Sequence, residues 1–587
     1  MSSLREQLTA TFADAFATCG LERKFGQVVV SQRPDLGQFQ CNGALAAADV
    51  HKDNSRKIAQ GVIDALEHRE ALANVSLTGP GFINITLADE FLAACAQRLT
   101  TDERLGCSPV PESKKIVIDF GNPNVAKPMH VGHLRSTIIG NSLQRLCRFM
   151  GHHVISDTHL GDWGTPMGML INELEQRQPD LPYFNPDYTG PYPPESPVTI
   201  ADLQEMYPTA SIRCQGDEQA LVAARQATVE LQQGRPGYRA LWQHFVDVSI
   251  KELKEDFGSL GVTFDLWLGE SDYHDRIPSM LEQLQLSGYT QLSDGALVIP
   301  LVQESDQKEI PPLILIKSDG GFLYSTTDLA TIQQRVDDFG ADEILYVVDA
   351  RQSLHFEQVF RAARKTGLAR DVSLKHIAFG TMNGPDGKPF KTRAGGVIRL
   401  KDLITMVATE ALERMTKMGI AEGYGEAERL DIAGKVGLAA LKFADLMNHR
   451  TSDYVFDLER FTKFEGRTGP YLLYTAVRIK SILRKAEEKA LVPGLILTPT
   501  HLERDLMLAL GQLPDAVQYS YWSYAPHHLC DFAYHLAQTF NRFYDQCHIL
   551  SEEDPALQSS WLALAQLSLS ELELLLSLLG IETPDRM

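Results

Sequence analysis

The chain has 587 residues, 44% of them apolar and 22% charged, so it is too long for a single hydrophobic core and is expected to fold as two to four domains. Its formal net charge of −21 argues, taken alone, against nucleic acid as a partner, because phosphate binding needs Lys and Arg, although a local basic face survives in many acidic proteins. No stretch reads as apolar for long enough to span a bilayer, and the eight scattered cysteines form no C-x-x-C pair, which leaves zinc ribbons and redox motifs without support and fits reduced thiols in a cytoplasm.

The N-terminus, MSSLREQLTATFADAFATCG, carries Arg5, Glu6 and Asp14 through an apolar repeat and reads as an amphipathic helix, not an export signal. Up to about residue 108 such helices mix with short apolar strands such as VSLTGPGFINITLA, and the turn-rich GCSPVPESKK closes the region. KIVIDF (115–120) predicts a strand, GNPNVAKPMHVGH a loop, LRSTIIGNSLQRLCRFM a helix capped at Gly151, and HVISD (153–157) the next strand. Strand, loop, helix, strand is a βαβ unit. The expected fold is therefore an α/β, Rossmann-type doubly wound parallel sheet with ligands at the carboxyl ends of its strands.

The loop between the first strand and its helix contains His130, Gly132 and His133. Three residues of separation put both imidazoles on one side of a starting helix turn, where free N–H groups and the positive dipole end suit phosphates. Two imidazoles there can donate hydrogen bonds as charge builds in a transition state, Gly132 leaves room for a nucleotide, and Lys127 adds a mobile cation. Surface histidines or a metal-ligand pair are the competing readings, and the placement between a strand and a capped helix favours the nucleotide.

Residues 176–236, opening with the Pro- and Tyr-dense QRQPDLPYFNPDYTGPYPPESP, read as an insertion laid over the core fold. In GGFLYSTTDLATIQQRVDDFG, Ser325 to Thr327 are expected to cap a helix, with Asp328 in its first turn and Tyr324 just before the cap. Asp328 there either complements the helix dipole or binds a cation. EILYVVD, QSLHFEQVFRAARKTG and LKHIAFG predict a second strand–helix–strand unit, followed by TMNGPDGKPFKTRAGG, whose glycines and cations suit a phosphate-binding loop or a solvated turn. From 401 to 465 the pattern is that of a helical connector, and from 466 to 587 that of an all-α bundle. Between 461 and 490, Lys463, Arg467, Arg478, Lys480, Arg484, Lys485 and Lys489 outnumber the acids, with Tyr471 and Tyr474 interleaved, a composition able to pair with phosphates and stack on bases.

H-x-G-H after a first strand resembles class I aminoacyl-tRNA synthetases and related nucleotidylyltransferases. The longer PNVAKPMHVGHLRSTIIG, with HLGDWGT, TGPYLLYTAVRIKSILRK and the final LGIETPDRM, resembles the arginyl-tRNA synthetases over most of the chain and least in 176–236. The resemblance implies activation of L-arginine with ATP and Mg²⁺ and its transfer to tRNA(Arg), in a cytoplasmic monomer without membrane contact or a protein-held metal. It divides the chain into an α+β tRNA-contacting domain (1–108), the catalytic domain (109–400), the connector (401–465) and the anticodon-binding domain (466–587).

Residue by residue, the resemblance puts His130, His133 and Lys127 on the phosphates. Gly132, Lys388, Lys391 and Arg393 fall to ATP, and Thr392 stands where class I enzymes carry a second lysine. Tyr324 and Asp328 go to the substrate guanidinium, and Asp119, where some relatives have Glu, is placed beside them. Asn124 and Gln352 fall to the amino and carboxylate ends in either order, His159 to the arginine site or to packing, and Arg467, Tyr471 and Arg478 to tRNA. Two competitors remain: an H-x-G-H nucleotidyltransferase without tRNA, disfavoured by the basic C-terminal helices, and a non-catalytic relative, disfavoured by intact His130, Gly132, His133 and Asp328.

Overall fold

The structure, a computed structural model, describes residues 3–318, 320–384, 386–388, 390 and 398–587, the side chain of Leu502 excepted. The chain forms two compact units. One comprises Met1–Val110, Glu410–Met447 and Glu459–Met587, and the other Pro111–Thr409 and Asn448–Leu458.

The second unit is built on a parallel sheet in the order Ser373–His376, Glu343–Tyr346, Lys115–Asp119, His153–Asp157. Its central strands are buried and rich in β-branched residues, as strands covered on both faces must be. The chain runs outward in one direction from Lys115–Asp119 to His153–Asp157 and later returns on the other side of the first strand. The crevice where the order reverses lies at the end of Lys115–Asp119. Register brings Tyr346, Asp119 and Asp157 side by side at the carboxyl edge. The helix Val131–Phe149 follows the first strand and ends, as expected, before Gly151 at φ 95°. Ser353–Thr366 makes the second crossover.

Two helices of the 176–236 segment, Ile200–Gly216 and Glu218–Gln232, pack on Thr165–Arg177. Gly168 allows that approach, since a Cβ there would stand 2.0 Å from the Ala224 carbonyl oxygen. A small antiparallel sheet of Gln291–Ser293, Ala296–Ile299 and Leu313–Ile316 completes the unit, with a short parallel pairing of Met382–Asn383 and Tyr454–Val455.

In the first unit an antiparallel sheet (Val28–Val30, Phe39–Cys41, Phe82–Leu87, Leu72–Thr78) carries helices from Leu4–Thr18 to Asp89–Leu99, and the remainder is helical, which matches the expected α+β and all-α regions. One expectation needs correcting. The helix Pro555–Leu578 is, by length and composition, apolar enough to cross a membrane, but 67% of its apolar window is buried, and it packs on Gly469–Glu488 and His527–Gln546.

Candidate active site

His130 is the N-cap of Val131–Phe149, and its Nδ1 accepts the Gly132 backbone N–H at 3.0 Å. His133 folds back so that its Nδ1 accepts the His130 N–H at 3.2 Å. The rings lie 4.1 Å apart. With both Nδ1 atoms accepting, the neutral tautomers carry their proton on Nε2, so each ring offers one outward donor. Burial lowers the pKa of both. Burial first, then the neighbouring imidazole and Lys127, take His133 down to about 3, while Lys127 adds to the burial of His130. Gly132 owes its identity to this cap, since a Cβ would meet His130 Cε1 at 2.7 Å.

The loop ahead of this helix is tied to the HLGDWG segment. The backbone N–H of Val125 donates to Gly161 O and that of Gly161 to Pro123 O, each at 3.1 Å, and a Cβ on Gly161 would strike Asn124 Oδ1. His159 stacks on Tyr273 with centroids 5.4 Å apart. Asp162 is buried and accepts from the Ser271 N–H and hydroxyl at 3.1 and 2.6 Å, which pins the turn that starts at Glu270. Burial pushes Asp162 up to about 6 despite those bonds.

The other side of the candidate site is acidic, with Glu270 joining Asp328. Tyr324 is 68% exposed at the start of Tyr324–Asp337. The helix begins one residue earlier than the expected cap, with Leu323 at the N-cap, because Ser325 and Thr326 instead donate to the carbonyls of Ile314 and Leu315 at 2.5 and 2.6 Å. Asp328 therefore sits in the second turn. Its Oδ2 lies 2.6 Å from His355 Nε2, and although burial works against a charged His355, the hydrogen bond and charge of Asp328 raise its pKa. Glu270 faces the same region. Its carboxyl rises to about 7, first by burial, with Asp162 and Asp328 adding to the rise and His159 opposing it.

Asp119 is tied through one oxygen to a cation of the chain itself. Its Oδ2 lies 2.5 Å from Arg335 Nη2, which also reaches Asp157 Oδ2 at 2.8 Å, all three side chains being buried. Asp119, Asp157 and His159 bring ligand-type atoms within 4.8 Å of one another; Arg335 pairs with Oδ2 of each carboxylate, while Asp119 Oδ1, Asp157 Oδ1 and His159 Nδ1 are buried with no hydrogen-bond partner among the described residues. Gln352 is exposed at the end of the turn Ala350–Gln352, just past the sheet edge.

Lys388 is exposed in the second loop, whereas Lys391, Thr392 and Arg393 lie outside the described residues. The segment from Ile398 to Leu400 flanks the paired histidines: Val131 N donates to Ile398 O at 3.1 Å and Leu400 N to Met129 O at 3.0 Å.

Residues 95–458 match the family described as tRNA synthetases class I (R), catalytic domain, residues 2–87 the arginyl tRNA synthetase N terminal domain, and residues 472–587 the DALR anticodon binding domain. The arginine–tRNA ligases of Alkaliphilus oremlandii and Maricaulis maris are each 50% identical to the chain, with 100% of both chains covered. The chain belongs to the arginyl-tRNA synthetases. Arginyl-tRNA synthetases of Plasmodium falciparum and Thermus thermophilus share the fold over 100% of both chains, with TM-scores of 0.83 and 0.80 at 24% and 21% identity.

In the helical part of this synthetase, Arg467 is ion-paired with Asp531. Arg478 Nη1 donates to Asn541 Oδ1 at 2.9 Å, and Asn541 Nδ2 donates to the Tyr471 hydroxyl at 2.9 Å. The three residues assigned to tRNA thus stand beside Asp531 and Asn541 of the helix His527–Gln546. Sequence reasoning missed Glu270, Asp162, His355 and Arg335. Only Glu270, an acid directly after a glycine in WLGESDYH, and Asp162, within a motif already singled out, carried a visible signal.

Proposed function

We propose that this synthetase activates L-arginine with ATP to arginyl-adenylate and pyrophosphate and then esterifies the 3′ end of tRNA(Arg), releasing AMP. The observation that carries the reading is the pair of neutral imidazoles at a helix start, both accepting at Nδ1, in the unit that also gathers Glu270, Asp162 and Asp328.

The arginine carboxylate oxygen bonds to the α-phosphorus of ATP as the bond to the pyrophosphate oxygen breaks. The chain's part is positioning and charge stabilisation. His130 and His133 donate to the phosphates from Nε2, and Lys127, with Lys388, Lys391 and Arg393, supplies cationic charge. Asp328, Tyr324 and Glu270 bind the guanidinium, which as a planar fork rewards converging acceptors. Asn124 and Gln352 serve the backbone end of the amino acid, and His159 with Tyr273 forms a wall. Asp119, whose Oδ2 holds Arg335, keeps its place beside Asp328 and Tyr324 through its other oxygen. Mg²⁺ enters as part of the MgATP substrate. Arg467, Tyr471 and Arg478 meet tRNA within an anticodon-binding region at 466–587. Residues 1–108 make a second tRNA contact, and the enzyme works as a cytoplasmic monomer without membrane contact.

The test is ATP–pyrophosphate exchange with each of the twenty amino acids, with and without tRNA(Arg). Arginine alone is expected to support exchange, and Asp328→Asn to abolish its use. Exchange with a neutral amino acid, or an unaffected Asp328→Asn enzyme, would overturn the assignment.

A further inference from the structure

Tyr207 belongs to the 176–236 segment, on the helix Ile200–Gly216. Leu203, Met206 and Ala210 of that helix are buried, while Tyr207, on the flank of this stripe, is half-buried. The Lys127 ammonium lies over the Tyr207 ring, 4.5 Å from its centroid. Tyr207 is also close enough to Tyr324 that, after burial and the Glu270 carboxylate, it contributes to raising that phenol's pKa. One aromatic ring of the insertion thus touches the lysine assigned to the phosphates and lies in electrostatic range of the tyrosine assigned to the guanidinium.

The local sequence carries a cost consistent with a demanding placement. Pro208 lies inside the helix, where it withdraws a backbone N–H and disfavours the helical conformation of the residue before it, Tyr207. A proline in a helix interior is destabilising, and the buried stripe holds the segment helical in spite of it.

We propose that Tyr207 is a positioning residue of the active site, whose ring face holds the Lys127 ammonium and so makes the insertion part of the nucleotide site. A lysine stem has many rotamers, and the quadrupole of an aromatic face narrows them without neutralising the charge. The inference rests on Lys127 serving the phosphates, and the experiment separates the two.

Arginine-dependent ATP–pyrophosphate exchange is measured with tRNA(Arg) for Tyr207→Leu, Tyr207→Ala, Tyr207→Phe, Lys127→Met and the double variant Lys127→Met/Tyr207→Leu. Tyr207→Leu is expected to lower kcat/KM for ATP by about three- to thirtyfold, the range of a partly desolvated cation–π contact. Tyr207→Phe, which keeps the ring, should rescue most of that loss, and Tyr207→Leu should cost nothing further once Lys127 is Met. If Tyr207→Ala fails to fold, the volume-conserving Leu variant carries the test. A near-wild-type Lys127→Met enzyme would overturn the phosphate role of Lys127. An impaired Lys127→Met enzyme combined with an unaffected, or fully additive, Tyr207→Leu would overturn the role of Tyr207 alone.

Discussion

His130 and His133 show how a short motif acquires chemistry from its own backbone. By accepting backbone N–H groups at Nδ1 they cap the helix and commit their remaining proton to Nε2. Replacing either by Ala should lower the exchange rate by about 10²–10³, the usual cost of one preorganised donor to a developing charge. Glu270 sets a different dependence. Its folded-state pKa of about 7 lies above its ordinary 4.5, so its stabilising contribution is present below 4.5 and is lost as pH rises through 7. Substrate binding runs the opposite way, because the guanidinium prefers the carboxylate. KM for arginine should fall about tenfold between pH 6 and 8, and Glu270→Gln should remove that slope. A slope that persists in Glu270→Gln would assign the titration elsewhere. Arg335 is a matter of folding. Arg335→Met strands Asp119 and Asp157 as buried carboxylates, and the second unit should lose about 3–5 kcal/mol in denaturant unfolding.

Among the elements, Val131–Phe149 and the helices of the insertion depend on close approach. Gly132→Ala must push His130 off its cap, so exchange should fall while the thermal midpoint stays near that of the parent, as circular dichroism would report. Gly168→Ala instead drives a Cβ into the Ala224 carbonyl oxygen, 2.0 Å away, and should destabilise the second unit by about 1–3 kcal/mol. The start of Tyr324–Asp337 teaches a related point. Ser-Thr-Thr before an apolar repeat is a reasonable capping signal, yet two of these hydroxyls find better partners in the carbonyls of Leu313–Ile316. Side-chain oxygens choose among all nearby backbone groups, and the neighbouring strand is invisible from local sequence.

At the scale of the whole molecule, the first unit joins segments hundreds of residues apart. Arg504 Nε binds Asp89 Oδ1 at 2.6 Å and its Nη2 donates to Leu87 O at 2.7 Å, while Ser3 and Arg5 both reach Asp515. Arg504→Ala leaves an acceptor and a carboxylate without this partner, a loss of about 1–3 kcal/mol, and should speed amide hydrogen exchange across residues 72–99. Unchanged exchange there would mean that the apolar packing alone holds the N-terminal sheet to the helices.

The sequence by itself determined the βαβ frame, the paired imidazoles, the bundle and the family, because hydrophobic period, turn residues and an uninterrupted motif are local properties of the chain. It placed Asp328 at the start of a helix, with Tyr324 just ahead of the cap, and the structure moved the start of that helix back to Tyr324. Tertiary structure alone decided where charge resides. Arg335 reaches Asp119 across 216 positions, His355 reaches Asp328 across 27, and Tyr207 meets Lys127 from within an insertion. Whether a carboxylate binds substrate or its own protein's guanidinium depends on which cation the fold brings within about 3 Å, and no local pattern encodes that distance.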